Sequence, residues 1–462
     1  MRSSHGWDEI SRERKRELIG AIVGGTATRG PVHVELDLTD RCNVACYFCN
    51  AQDVRTKEQM AIKPATELID ELVETGLKSV RLAGGGEPLF HREILEILDH
   101  IDSRGLVIDN ITTNGVALGP EIAERLVRRS AREVIFSLNA VDPDDYHRMM
   151  QVRPATFDKV IENIRHLVAI RGDGAHPAVV IQFLIDRENW HRLADMYELG
   201  RSLQADRIAV NAVLEIPRER IDAKRLLTEK DCERVRPVLE EVLRQDRDAR
   251  LLQIDFALDG WNAMLAAARS SADYAPVAWF PTAPSFQEAN GGCFFAWYTA
   301  TIVGNGNIYP CCLLMKPDYK PLGNVLEGQF ADHWNGPAFG TMRSEMREVL
   351  LNGSTMLYRP GRFERLDKAC IEPHYCWLKN MYFRGDEAFY HELGQALDQA
   401  RRREVRWIGT PTQMRRALEG FAIASPRFRR AFDLLRRLTL PARIWLKRHL
   451  GWNVSGAAIQ KS

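Results

Sequence analysis

Three cysteines, Cys42, Cys46 and Cys49, follow the strand-like run 33–39 in the sequence Arg-Cys-Asn-Val-Ala-Cys-Tyr-Phe-Cys. One cysteine per iron is the usual ligation of a 4Fe–4S cluster. Three thiolates therefore hold three irons, and the fourth iron keeps the open position of a catalytic metal site. A zinc knuckle is the alternative reading. It needs a fourth ligand, yet the next cysteine is Cys232, with no finger-like histidine pattern nearby.

The elements that must position these thiols are legible as alternating periods. Strands are expected at 33–39, 79–82, 107–112, 134–138, 179–185 and 207–214. Helices are expected at 65–75, 93–101, 121–129, 157–170 and 192–203. Strand–helix alternation implies parallel strands joined by crossover helices. Six such units fit an open, partial α/β barrel or a flat doubly wound sheet. In both, the active site lies at the carboxyl ends of the strands, where the cysteine run falls. The second strand ends in Gly84-Gly85-Gly86-Glu87-Pro88. Glycines there let the backbone approach a ligand, and the proline fixes the exit.

The cysteine run, with its aromatic Phe48 before Cys49, and the glycine loop resemble the radical S-adenosylmethionine (SAM) superfamily. The resemblance implies an α/β fold with a partial (β/α)6 TIM-type barrel. It implies a 4Fe–4S cluster on Cys42, Cys46 and Cys49, whose open iron is chelated by SAM. It implies reductive cleavage of SAM to methionine and a 5′-deoxyadenosyl radical. Gly85 and Gly86 would line SAM, Glu87 would meet its ammonium, Ser137 its carboxylate or ribose, and Phe48 its adenine. Thr112-Thr113-Asn114-Gly115 and Ser137-Leu138-Asn139-Ala140, at the ends of the third and fourth strands, are also familiar from this family. As plain turn residues they would need no ligand.

The run from Cys293 through Gly306 to Cys311-Cys312, then the Gly323-Asn324 turn, resembles the SPASM and twitch domains that carry auxiliary iron–sulfur clusters. The full SPASM pattern has seven cysteines. Here Asp367 and Asn380 hold two of those positions, and Cys370 and Cys376 remain. Cys293, Cys311, Cys370 and Cys376 are the expected ligands of one auxiliary 4Fe–4S cluster, fully ligated and suited to electron transfer or support. Zinc on the same four is the alternative. Cys312 competes with Cys311, and Cys232 is read as a plain thiol.

The 462 residues are 45% hydrophobic and 27% charged, with a net charge of +1. That composition is globular. No secretory signal or membrane-length apolar run is present, so a cytoplasmic location is expected. The expected division is an N-terminal extension (1–30), the barrel (31–255), the SPASM/twitch-like domain (285–385) and a basic helical extension (386–462). Residues 400–462 hold fifteen Arg or Lys and three Asp or Glu. Such a stretch suits an acidic membrane surface, an acidic partner, or packing on the barrel. Nucleic acid is the least expected partner, since no reading module accompanies the charge. The expected activity is hydrogen abstraction from a small polar substrate, sugar- or aminocyclitol-like, leading to oxidation, dehydration or epimerisation by an oxidoreductase or lyase. A flavodoxin or ferredoxin would supply electrons. Only about thirty residues precede the barrel, few for a peptide-binding domain; a peptide or protein maturase is the second reading, and an iron–sulfur carrier the non-enzyme one. Glu215, Asp186, His147 and Arg148 are the candidate acid–base groups.

Overall fold

A computed structural model describes residues 7–49, 51–52, 55–128, 131–174, 176–213, 224–254, 259–273, 293–316, 318–352, 363–366, 370 and 386–405. Six parallel strands pair in chain order: β1 (His33–Asp37), β2 (Ser79–Leu82), β3 (Val107–Thr113), β4 (Glu133–Ser137), β5 (Ala178–Ile185) and β6 (Arg207–Ala212). The sheet is longer than the six expected strands. β7 (Leu252–Ile254) adds in parallel to β6. At the other side β8 (Thr299–Val303) runs parallel to β1, and β9 (Asn307–Tyr309) and β10 (Gly323–Asn324) continue antiparallel. β7, β9 and β10 escaped the sequence because three- and two-residue strands show no period, and the five-residue β8 is buried throughout and so shows no alternation. The order β10-β9-β8-β1-β2-β3-β4-β5-β6-β7 leaves the barrel open. One sheet thus runs through both units expected to be separate domains.

Between the strands lie α2 (Ile62–Glu74), α3 (Ile94–Ser103), α4 (Pro120–Arg128), α5 (Pro143–Met150), α6 (Thr156–Arg171) and α7 (Leu193–Ser202). Their apolar stripes cover the outer face, so all five residues of β1 are buried, as in parallel sheets covered on both faces. α5 was not anticipated. It is short, but the Asp142 side chain accepts from Asp145 N at 2.8 Å and Pro143 opens the first turn, a strong start signal. Charged pairs join the strands: Arg81 Nη1 of β2 donates to Glu35 of neighbouring β1 at 3.0 Å, and Arg207 of β6 reaches past β5 to grip Glu133 of β4 with both Nη atoms at 3.0 and 2.8 Å.

The preceding segment forms α1 (Arg12–Gly24), capped by Ser11 and ended by the left-handed Gly25. After β7 come α9 (Asp259–Ser271), α10 (Phe330–Trp334), α11 (Pro337–Asn352) and α12 (Glu387–Val405); α8 (Cys232–Gln245) precedes β7. Trp7 packs edge-on to Phe389 of α12 at 4.6 Å and donates to Asp386 at 3.0 Å, while Lys15 bridges to Asp386 at 2.7 Å. Arg401 caps the carbonyls of Leu350 and Leu351 at the end of α11, at 2.8 and 2.6 Å. Residues 386–405 of the basic extension therefore pack on the body. The remainder, on which the acidic-surface expectation rests, lies outside the described residues.

The loop after β2 is welded to the loop after β1. Gly84 has φ +119°, and a Cβ there would collide with the Asp37 carboxylate. A Cβ on Gly86 would collide with the carbonyls of Thr39 and Arg41. Both obstacles to Gly86 are backbone, so the cysteine loop itself must shift. Gly86→Ala should therefore cost roughly 2–4 kcal/mol of stability, in the range of severe packing damage, and lower the iron held per chain. Gly20, exposed on the outer side of α1, has nothing within 4 Å of its would-be Cβ; Gly20→Ala should gain up to about 1 kcal/mol. Urea midpoints and iron analysis of both variants check this, and equal stability of wild type and Gly86→Ala would refute the weld.

Candidate functional site

The cysteine loop leaves β1 and is tied back by Asp40 N to Glu58 O (2.9 Å) and Met60 N to Leu38 O (3.0 Å). Its far side rests on the end of α5: Ala45 N donates to Met150 O at 3.0 Å, and Tyr47 N to Met149 O at 3.4 Å. Cys42, Cys46 and Cys49 are all half-buried. Burial pushes the Cys42 and Cys46 thiols up; at Cys46 the neighbouring Cys49 and Cys42 charges push further. Thiols gathered so that Cys42 and Cys46 resist ionising form a donor set that suits a cation. Donors already face the sulfurs: Arg55 Nη2 to Cys49 Sγ at 3.2 Å and Asn114 Nδ2 to Cys42 Sγ at 3.9 Å. Among the described residues no trio of thiol, imidazole or carboxylate groups stands at ready metal-ligand spacing. The donor chemistry fits a cluster.

Glu87 is buried, and its oxygens accept from Thr113 Oγ1 (2.6 Å), Asn114 N (2.7 Å) and Leu89 N (3.1 Å). Its own N–H donates to Arg41 O at 2.8 Å. Glu87, through its carboxyl and its N–H together, thus ties three loop segments, a role beyond the expected ammonium contact. Arg55 also reaches the glycine loop, its Nε donating to the Gly85 carbonyl. The Asp37 carboxylate accepts from Gly85 N, and burial raises its pKa well above the ordinary range, opposed by that bond.

Asn114 reaches Asn43 Oδ1 at 2.7 Å as well as Cys42, tying β3's end to the cysteine loop. Ser137 Oγ donates to Gln182 Oε1 of the adjacent strand at 3.3 Å. Asn139, at φ 56°, accepts from Leu184 N at 2.9 Å. Phe48 stands edge-on to Tyr47 at 5.3 Å. Of the acid–base candidates, Asp186 is buried and accepts from Tyr47 Oη (2.6 Å), Arg148 (3.2 Å), Glu188 N (2.8 Å) and Asn189 N (2.9 Å). Arg148 also holds Glu188 at 2.9 Å and Asp145 at 3.3 Å. His147 faces away, its Nδ1 at 2.6 Å from Val152 O. None of these three is an unencumbered base. Glu215 lies outside the described residues. Arg225, which stacks 3.8 Å over the Tyr47 ring and pairs with Glu188 at 3.0 Å, joins this cluster; no sequence signal marked it or Arg55.

The later cysteines converge in part. Cys311 follows β9, and both Cys370 and Cys311 lie near enough to Tyr319 that, after burial, their charges raise its phenol. Cys293 is buried nearby in sequence to β8; Cys376, Asp367 and Asn380 lie outside the described residues. Ala51, Val303, Tyr309 and Met315 form a small apolar cluster, against which both Cys49 and Tyr319 pack. Tyr309 and Tyr319 meet at 6.3 Å. The two cysteine sites therefore flank one plug.

Burial pushes the Glu87 carboxyl up to about 7, against the pull of its three hydrogen bonds. A raised folded value means the folded chain keeps a proton the unfolded chain releases. That stability is present below the ordinary value of 4.5 and is lost as pH rises through about 7. Urea midpoints of wild type should fall across this window relative to Glu87→Gln, which cannot titrate. Parallel pH curves for the two proteins would show that Glu87 does not titrate there.

Residues 36–200 match the radical SAM superfamily, and residues 293–353 match an iron–sulfur cluster-binding domain, SPASM. The GTP 3′,8-cyclase of Marinobacter nauticus is 28% identical over 188 residues, 40% of this chain and 54% of that protein. The chain spans about half the length of the cyclases it matches, 54%, 52% and 54% for three of them. The AdoMet-dependent heme synthase of Methanosarcina barkeri is 23% identical over 321 residues, 68% of this chain and 86% of that protein. In fold, the chain is similar to Streptococcus suis SuiB bound to precursor peptide SuiA, with a TM-score of 0.55 and 17% identity over 81% of this chain and 79% of that one. The superfamily implies a 4Fe–4S cluster and SAM, and the second domain implies auxiliary iron–sulfur, which displaces the zinc readings. The chain belongs to the radical SAM superfamily and carries a SPASM-type cluster domain after its barrel.

Proposed function

We propose that this radical SAM enzyme abstracts hydrogen from a small polar substrate, and that Cys42, Cys46 and Cys49 hold the cluster that makes this possible. The observation that carries the reading is the convergence of three half-buried thiols and the glycine loop at the carboxyl ends of β1 and β2. Cys42, Cys46 and Cys49 would hold a 4Fe–4S cluster, which when bound would supply the electron for reductive cleavage of SAM. The chain's part is to hold and shield. The Gly85 carbonyl, which binds the Arg55 guanidinium here, offers an acceptor for SAM's ammonium. Glu87 fixes that loop; Phe48 and Ser137 complete the wall facing SAM. The Tyr47–Asp186–Arg148–Glu188–Arg225 cluster beside the cysteine loop presents ionic groups rather than an apolar face. That supports a polar substrate, oxidised or rearranged after hydrogen removal. The segment before β1 serves as a clamp on α12 rather than as a peptide reader.

We further propose one auxiliary 4Fe–4S cluster on Cys293, Cys311, Cys370 and Cys376, exchanging electrons or bracing the domain. The charges of both Cys311 and Cys370 are felt at Tyr319, which supports their belonging to one site. A flavodoxin- or ferredoxin-like protein is the proposed electron donor, and a cytoplasmic location suits it. Among the described residues no helix is long and apolar enough to cross a membrane.

Cys46→Ala should abolish 5′-deoxyadenosine formation and lower iron from about eight to about four per chain, because each cubane holds four irons. Deuterium passing from a labelled sugar or aminocyclitol into 5′-deoxyadenosine identifies the substrate class. Transfer only from a labelled peptide would move the enzyme to the maturases. Undiminished SAM cleavage by Cys46→Ala sinks the ligand assignment. At the second site, Cys311→Ala should lose about four irons while Cys312→Ala keeps them. About twelve irons in the intact protein, or stoichiometric zinc, would overturn the single-cluster count.

A further inference from the structure

The cysteine loop lies on α5, and one residue of that helix is left with its polar atom unused. Tyr146 and Met150 are one turn apart and share a face. Met150 Sδ stands 3.6 Å from Cys46 Sγ. Tyr146 is fully buried, its ring set edge-on to Phe157 at 5.8 Å. Its hydroxyl oxygen has no hydrogen-bond partner. Burial raises its phenol, and the charges it feels are those of Cys46, then Glu87 and Cys42. A buried hydroxyl with nothing to bind is costly and rare, and it calls for an account.

The three sulfurs supply one. Cys42 faces the Asn114 amide and Cys49 faces the Arg55 guanidinium. Among the described residues no side chain donates to Cys46; its own thiol hydrogen points to the Met150 thioether. Once iron replaces that hydrogen, the sulfur can only accept, and the thioether has nothing to give it. We propose that the Tyr146 hydroxyl donates a hydrogen bond to the Cys46 thiolate of the assembled cluster and thereby sets how readily the cluster takes up an electron. This rests on the reading that Cys42, Cys46 and Cys49 hold the cluster. The physical effect is direct. Reduction adds negative charge to the cluster sulfurs, and a donor aimed at one of them favours the reduced form, one of the recognised controls of cluster potential. A phenol held in apolar packing keeps its proton and so remains a donor. Tyr146 is accordingly a positioning and tuning residue and touches neither SAM nor substrate.

The test is an EPR-monitored potentiometric titration of anaerobically reconstituted full-length protein, following the signal that disappears in Cys42→Ala. Tyr146→Phe should keep its iron but be reduced less easily, the ratio of reduced to oxidised cluster at a fixed potential falling about threefold or more for this one-electron couple. Tyr197→Phe is the control, because that buried hydroxyl bonds Gln245 O at 3.2 Å, away from the site; its midpoint should match wild type. A Tyr146→Phe midpoint equal to wild type, with iron intact, overturns the proposal while leaving the ligand reading untouched. Full iron retention by Cys46→Ala overturns the ligand reading and the proposal with it. Should Tyr146→Phe lose iron, protein carrying ring-fluorinated tyrosine decides: a more acidic donor must make the cluster easier to reduce, and an unchanged midpoint refutes the hydrogen bond.

Discussion

Everything at the top of the barrel hangs on the contact between two loops. The backbone of Gly84-Gly85-Gly86 lies so close to Asp37, Thr39 and Arg41 that no side chain fits between. Glu87 extends that contact in both directions, its N–H on Arg41 O and its carboxyl on Thr113 and Asn114. Asn114 closes the ring by reaching Asn43 and Cys42. The ends of β1, β2 and β3 are thereby held as one unit by close backbone contacts together with the buried side chains of Glu87 and Asn114. This is the order of rigidity a site needs when reacting groups must be held to within fractions of an ångström.

The second constraint is the continuity of the sheet. β8 pairs with β1 along its whole length, so the SPASM-type unit is built directly onto the strand that delivers the radical-cluster cysteines. α10 is fastened to the barrel as well, with Phe330 N and Ala331 N both donating to Glu71 of α2, at 3.0 and 2.8 Å. Trp334 adds a bond to Arg29 O at 2.9 Å. The apolar plug of Ala51, Val303, Tyr309 and Met315 then lies between Cys49 and Tyr319. A packed apolar bridge of this kind suits a fixed spacing between the two cysteine sites.

Arg55 has a double position. It donates to the Gly85 carbonyl and to Cys49 Sγ, so one cation spans the glycine loop and the cysteine loop. SAM presents an ammonium and a sulfonium to the same region in the proposed mechanism. The polar cluster around Asp186 is the other charged feature beside the loop. There the acids and the arginines bond one another, and Asp186 braces Tyr47 and Arg148 of α5.

Chemistry was legible in the sequence because it depends on residue type at short spacing. Cys42, Cys46 and Cys49, the glycine run, and the alternation of apolar periods named the family, the parallel strands and the end of the barrel that matters. Longer periodic helices such as α6 and α7 were located to within a residue or so. What could not be read were relations between distant segments. β7, β9 and β10 are too short for a period. The pairing of β8 with β1 joins residues more than two hundred apart. The commitment of Asp186 and the insertion of Arg55 depend on which side chains meet across loops. Glu87 shows the division most plainly. Its type and place in the motif announced a buried carboxylate beside SAM, but only the tertiary structure showed it bound to Thr113, Asn114 and Leu89. Sequence determines which groups are available and the local period; long-range packing decides which of their hydrogen bonds are already taken.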